Sequence, residues 1–308
     1  MALLFLSPDD PAEAWRAELQ ARIPGLDVRI WPEVGDPADI DLALVWRPPS
    51  GELARYPNLR AILSLAAGID GLVADPDLPD VPIARMVDPS LTRTMTEYVL
   101  LAVLRHHREF DRFERAQRAR EWAYAFPPQA ADRRVGLMGL GELGSAAARV
   151  LVAHGFQVLG WSRSPKALDD VVSYAGRSEL HPFLHRTDIL VCLLPLTADT
   201  VGILDAATFA ELPHDACVIN VARGQHLVEA DLIEALDSGH LGGATLDVFR
   251  AEPLPPGNPL WDHPKVLVTP HVASYSVPAT AADGVAANIR RILAGEPLLH
   301  QVDRARGY

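Results

Sequence analysis

At 308 residues, with 49% of them hydrophobic and a net charge of -12, the chain can bury substantial cores, and its length predicts two domains. The acidic balance argues against nucleic acid or an anionic membrane surface as partner, because their phosphates would repel it. No apolar run is long enough to span a bilayer.

The first ten residues are apolar but lack the basic start and long apolar stretch of an export signal, so they read as a first buried strand. Strand-like runs at 2–6, 26–31, 40–46 and 59–65 alternate with a helix-like stretch at 12–21 and with turns bearing Pro and Gly, which predicts a parallel sheet. After the fourth run, the small residues Ala66-Ala67-Gly68-Ile69-Asp70-Gly71 form either a backbone anion nest or a simple turn. Pro89-Ser90 then marks a helix start. Residues 91 to about 120 contain no Pro or Gly and carry Met95, Tyr98, Val99, Ala102, Val103, Phe110 and Phe113 at helical spacing, which predicts one long helix. Its later half mixes charge with aromatics and reads as a solvated or subunit-facing surface, with His106 and His107 on the outside. The apolar excess of this helix predicts a homodimer. Residues 122–131, with Pro127-Pro128, read as a linker and a first domain boundary.

Beyond it, the apolar run from Val135 breaks into Gly139-Leu140-Gly141-Glu142-Leu143-Gly144 and continues as a helix pattern, with a second short strand at 155–161. Such a turn can simply close a strand–helix corner, but strand, G-x-G-x-x-G, helix and strand at this spacing is the pattern of a dinucleotide site. There the first glycine makes the turn, the second admits a pyrophosphate and the third lets helix pack on strand. An NAD site places Asp or Glu at the end of the second strand to hold the ribose 2′-hydroxyl. This chain has Ser162-Arg163-Ser164, which suits the 2′-phosphate of NADP(H), leaving NAD(H) as a weaker cofactor; the alternative is an ordinary polar loop. Further strand-like runs at 188–194, 216–221, 243–248 and 265–269, with a helix pattern at 228–238, make this region doubly wound as well. The two cysteines, Cys192 and Cys217, fall in such runs and read as reduced thiols of a cytoplasmic protein.

Three polar residues stand where strands run out: Arg223, Glu252 and His271. Singly, each has an ordinary reading as a surface ion pair or a turn residue. Together, behind a dinucleotide motif, they suit carbonyl reduction. Histidine can donate a proton to the developing alkoxide near neutral pH, a neighbouring carboxylate favours its protonated form, and arginine can grip a substrate carboxylate.

The glycine motif, Val221-Ala222-Arg223-Gly224, the stretch from Asp247-Val248-Phe249 to Glu252-Pro253, and Thr269-Pro270-His271-Val272-Ala273 occur in an order and spacing that resemble the D-isomer-specific 2-hydroxyacid dehydrogenase family across the chain. Trp46-Arg47-Pro48-Pro49, residues 66–70 and the ending 301–308 resemble a branch that reduces glyoxylate and hydroxypyruvate with NADPH. The resemblance implies two doubly wound parallel-sheet, Rossmann-like domains. Residues 1–96 and 276–308 would bind substrate, residues 97–275 would bind NADP, and a carboxyl-terminal helix would return to the first domain. It further implies that Arg223 binds the 2-oxo acid, His271 is the acid/base and Glu252 its partner. Trp46 and the backbone of Ala67 and Gly68 would contact substrate. Leu194, Pro195, Val221, Ala222, Asp247, His271 and Ala273 would join the glycine turn and residues 162–164 around the cofactor. No metal is implied. The rival readings are an NAD(P)-binding corepressor-type relative and a dehydrogenase of another 2-hydroxy acid such as D-lactate.

Overall fold

Short β-branched and leucine-rich runs punctuated by Gly and Pro fold as strands, and the intervening 3.6-periodic segments fold as helices. The computed structural model describes residues 1–304. In order these are β1 (Ala2–Leu6), α1 (Ala12–Arg22), β2 (Asp27–Ile30), β3 (Ile40–Val45), β4 (Ala61–Ser64), α2 (Asp70–Val73), β5 (Ile83–Ala84), α3 (Pro89–His107) and α4 (Phe110–Ala119). There follow β6 (Arg134–Met138), α5 (Glu142–Ala153), β7 (Gln157–Ser162), β8 (Val171–Ala175), α6 (Leu180–Leu184), β9 (Ile189–Cys192) and α7 (Ala206–Glu211). The last elements are β10 (Ala216–Asn220), α8 (Glu229–Asp237), β11 (Leu241–Leu246), β12 (Val266–Val268) and α9 (Pro278–Ala294). The final four residues of the 301–308 ending lie outside the described residues. No helix among the described residues is long and apolar enough to cross a membrane.

The chain divides into two compact units, one made of Met1–Leu91 with the segment from Tyr275 onward, the other of Thr92–Ser274. Unit 1 holds a five-stranded parallel sheet in the order β2-β1-β3-β4-β5. Every residue of β1 is buried, as a parallel strand covered on both faces requires. The carboxyl-terminal helix does return to this unit. Arg22 of α1 donates to Ala279 O at 2.7 Å, and Arg290 of α9 donates to Arg22 O at 2.7 Å. Val302 N then donates to Ile83 O at 2.8 Å, so the tail adds backbone pairing at the β5 edge.

Unit 2 holds a seven-stranded parallel sheet, β12-β11-β10-β9-β6-β7-β8. Alternate residues supply two separate cores. Val135 and Leu137 of β6, with Ile189 and Val191 of β9, pack with α3 and α5 on one face. Met138, Leu190 and Cys192 pack with Phe183, Phe209 and Leu232 from α6, α7 and α8 on the other. Sequential strands run outward from β6 in both directions, so the order reverses between β6 and β9, and ligands bind at such a switch point. Both units are therefore doubly wound, as expected. Cys192 and Cys217 are free thiols.

Three expectations need correction. Residues 91–120 form two helices, because Glu109 adopts a left-handed conformation (φ 56°) between α3 and α4. No Gly or Pro announces that break. His106 and His107 are both buried, and His106 Nε2 lies 2.9 Å from Thr245 Oγ1. Gly243 leaves room for this ring, since a Cβ there would lie 3.3 Å from His106 Cε1. Finally, the units divide within α3, so residues 122–131 run inside unit 2 and are not a boundary. An uninterrupted helix carries the chain from one unit into the other, and helices give no compositional warning of a domain edge.

Candidate active site

The glycine turn joins β6 to α5 at the switch point of unit 2. Two of its glycines answer constraints within the protein. Gly139 has φ 104°, and a Cβ there would sit 2.8 Å from Leu193 O. A Cβ on Gly144 would sit 1.8 Å from Gly139 O, so only glycine lets α5 close onto the strand. The middle one is different: a Cβ on Gly141 would meet no atom within 4 Å. Nothing among the described residues needs glycine there, whereas a ligand brought against the backbone would. Gly141 also caps α5 without a side-chain hydrogen bond, which leaves the positive end of the helix dipole for an anion. Leu140 is buried beneath the turn, where a Cβ on Gly160 would strike its Cδ1 at 2.4 Å. Glu142 is exposed and Leu143 half-buried. This arrangement fits a dinucleotide pyrophosphate.

At the end of β7, the buried Ser162 hydroxyl donates to Ser164 O at 2.7 Å. Its proton is therefore committed inside the protein. Arg163 and Ser164 are exposed, and the only positive charge in that trio belongs to Arg163. Leu194 and Pro195 follow β9, and Val221 and Ala222 follow β10; Leu194, Val221 and Ala222 are buried.

Arg223, Glu252 and His271 follow β10, β11 and β12, three adjacent strands of the sheet. The Arg223 backbone is clamped. Its N–H donates to His226 Nδ1 at 3.2 Å and its carbonyl accepts from Asn220 Nδ2 at 3.0 Å. Its Nη1 donates to Ala222 O at 2.7 Å. Because His226 accepts at Nδ1, Nε2 carries its proton, 3.3 Å from Pro195 O; this ties the Arg223 loop to the loop after β9. A Cβ on Gly224 would fall 1.9 Å from the Phe249 carbonyl carbon, so the glycine after Arg223 is required by the loop after β11.

His271 stands in the left-handed region (φ 54°), a conformation that costs a non-glycine residue about 1–3 kcal/mol and persists only when its surroundings impose it. Asp247 does so. The His271 N–H donates to Asp247 O at 2.8 Å. The buried carboxylate accepts from Thr269 Oγ1 at 2.6 Å, Val272 N at 2.9 Å and Ala273 N at 2.9 Å. Burial raises the Asp247 pKa, and the Thr269, Ala273 and Val272 hydrogen bonds oppose that rise by stabilising the anion. Thr269 Oγ1 gives its proton to Asp247, so the Tyr98 hydroxyl, 2.6 Å away, donates to Thr269. Burial pushes the Tyr98 hydroxyl up to about 12, which keeps it a donor. The Asp247 carboxylate thus holds the His271 loop.

The His271 ring meets its carboxylate at Nδ1, 2.8 Å from Glu252 Oε2. A carboxylate anion only accepts, so the proton between them is on Nδ1, and proton exchange with a ligand would run through Nε2. Glu252 is itself aimed by Phe249 N, which donates to Oε1 at 3.0 Å. Both side chains keep some solvent access, 27% for His271 and 17% for Glu252.

In unit 1, Trp46 directly follows β3 and is half-buried, with Arg47 stacked over its ring at 5.1 Å. Its N–H donates to Leu6 O at 2.9 Å, which places it where β1 and β3 run out, at the switch point of that sheet. Ala67 and Gly68 lie half-buried between β4 and α2. No sequence signal marks Asn220, His226 or Tyr98 as supports of the unit 2 loops. Their side chains look like ordinary strand-end, turn and helix residues until their partners are known.

The family model described as D-isomer specific 2-hydroxyacid dehydrogenase, NAD binding domain, matches residues 100–273. The chain is 43% identical over 314 residues to the glyoxylate/hydroxypyruvate reductase A of Serratia proteamaculans, with all of both chains covered. A D-isomer specific 2-hydroxyacid dehydrogenase from Xanthobacter autotrophicus Py2, solved in complex with NADPH and MES, superposes with a TM-score of 0.96 at 53% identity, covering 100% of this chain and 99% of that one. The NADPH-dependent glyoxylate/hydroxypyruvate reductase of Sinorhizobium meliloti, solved with NADP and sulfate, does so with a TM-score of 0.94 at 42% identity, covering 100% of each.

Proposed function

Because this chain belongs to the D-isomer specific 2-hydroxyacid dehydrogenase family, we propose that it reduces small 2-oxo acids, glyoxylate and hydroxypyruvate first, to the corresponding 2-hydroxy acids with NADPH. The observation that carries this reading is the His271–Glu252 pair, held at 2.8 Å on a strained loop in the same sheet that presents the open glycine turn. When bound, NADPH supplies the hydride. The protein's own part is the proton and the positioning. His271 gives the carbonyl oxygen its proton from Nε2 as negative charge develops there, and Glu252 holds the ring at Nδ1 and balances its positive form. Arg223 presents a planar fork to the substrate carboxylate and carbonyl oxygen.

Gly139, Gly141 and Gly144 with the first turn of α5 would hold the pyrophosphate, and Arg163 the 2′-phosphate. Leu194, Pro195, Val221, Ala222 and Ala273 would line the rest of the cofactor in unit 2, and unit 1 would supply Trp46, Ala67 and Gly68 to the substrate. The NADP preference is supported by the absence of a carboxylate at residues 162–166, where β7 ends, and by the relatives solved with NADPH or NADP. A homodimer accords with the apolar residues that unit 2 leaves exposed. Trp122, Tyr124 and Phe126 are 94%, 71% and 85% exposed, and Leu101 and Phe110 are exposed as well. A concentration-independent monomer in sedimentation would contradict the dimer. The two free cysteines accord with a reducing cytoplasm.

Steady-state kinetics with NADPH and NADH over glyoxylate, hydroxypyruvate, pyruvate and phenylpyruvate test the reading. Expected is a preference for NADPH and the two smallest substrates. A preference for phenylpyruvate, or equal use of NADH, would overturn it.

A further inference from the structure

We propose that His181, His185 and Glu211 form a surface site for a late first-row divalent cation, zinc by its donor chemistry, that ties α6 to α7. His181 lies in α6 and His185 directly follows it, with the backbone continuing helically so that His185 N donates to His181 O at 3.1 Å. The two imidazoles therefore occupy successive turns of one face, the i, i+4 arrangement in which neighbouring helical side chains meet. Their rings lie 4.4 Å apart and 34° from parallel. Glu211, the last residue of α7, sends Oε2 to both: it lies 2.6 Å from His181 Nδ1 and 3.0 Å from His185 Nδ1. Three ligand atoms, one from each residue, fall within 4.8 Å of one another.

Two nitrogens and one carboxylate oxygen make up a donor set that binds zinc, whereas magnesium and calcium favour all-oxygen shells. Around a tetrahedral zinc with bonds near 2.0–2.1 Å, ligand atoms sit about 3.3 Å apart. The Glu211 oxygen would thus retreat by roughly half an ångström to admit the ion. Each Nδ1 proton would pass to Nε2 or to water, since the metal takes the lone pair it occupied. The histidine side chains are 61% and 57% exposed, so an ion reaches the site directly and water can fill the fourth position. Beneath it, Phe183 and Leu184 of α6 and Phe209 of α7 are buried in one hydrophobic cluster. The cation would fasten the surface ends of two helices whose inner faces already pack together. A ligand that binds only the folded state raises thermal stability.

The site is tested on tag-free, chelator-treated protein by calorimetric titration and thermal melting with Zn²⁺, and with Mg²⁺ for comparison. Expected are one Zn²⁺ per chain and a Zn²⁺-dependent rise in Tm, absent with Mg²⁺. In His181→Ala and His185→Ala, Zn²⁺ affinity should fall tenfold or more and the rise should vanish, and Glu211→Gln should weaken binding less. Unchanged circular dichroism would show that the fold persists in each. Failure of the wild type to bind Zn²⁺, or a Tm rise that survives in the double variant lacking both histidines, would overturn the proposal.

Discussion

Two histidines of unit 2 sit in surroundings that differ at almost every point. His271 rides on a loop, in a left-handed conformation, partly open to solvent, with a carboxylate at 2.8 Å on its Nδ1. His106 lies in the last turn of α3, is buried, meets the Thr245 hydroxyl through Nε2, and its Nδ1 has no partner among the described residues. Burial, reinforced by the nearby Arg105, lowers the His106 pKa to about 4. The same side chain is thereby made a neutral packing element in one place and, in the proposed mechanism, a proton donor in the other. What separates them is the partner of one ring nitrogen and the access of the other.

Substitution of each should give opposite profiles. His271→Ala should lower kcat by about 10²–10⁴, the usual range for positioned proton transfer, while NADPH affinity measured by fluorescence titration stays close to wild type. His106→Gln should leave kcat near wild type; a comparable collapse there would erase the distinction. The stability of the two regions should also part with pH. The folded pKa of His106, about 4, lies below the ordinary 6.5, so between those values the unfolded chain binds a proton that the folded chain does not. Stability is therefore lost as pH falls through that window, by about 3 kcal/mol at about 1.4 kcal/mol per pKa unit. Denaturant unfolding from pH 7 to 4 should show the loss, and His106→Gln should flatten it. A wild-type curve that is flat across the window would show that the ring protonates without penalty.

A smaller effect concerns the cofactor end of the same sheet. Arg163→Ala should weaken NADPH by about tenfold to a hundredfold, the 1.5–3 kcal/mol of a charged hydrogen bond, and leave NADH nearly unchanged. Equal weakening of both would place Arg163 away from the 2′-phosphate.

The contrast also marks what sequence makes legible. The β6–α5 turn can be read in advance because each of its glycines answers a separate constraint, and Arg223, Glu252 and His271 because strands announce where they end. Unit 1 and its returning helix follow from the same alternation of strand and helix, together with the family resemblance. The buried side of α3 does not, since a helix bearing apolar residues on most faces hides which one is covered, and the charges around His106 point to the outside while the ring is buried. The break at Glu109 is equally silent, being made by a non-glycine residue in a conformation that glycine usually announces. β8 escaped because it is an edge strand with half-exposed residues and no apolar alternation. Of the supports of the site, Asn220 works within three residues of Arg223, whereas His226 also reaches Pro195 and Tyr98 reaches Thr269, partners distant in sequence that meet only once the chain is folded.

The most direct test of the proton-donor assignment is the single-turnover rate of NADPH oxidation by glyoxylate in Glu252→Gln, with enzyme saturated by cofactor. If Glu252 orients His271 and balances its charge, the rate should fall tenfold or more with NADPH affinity unchanged and circular dichroism matching the wild type. A variant that turns over at the wild-type rate would contradict the pairing on which the mechanism depends.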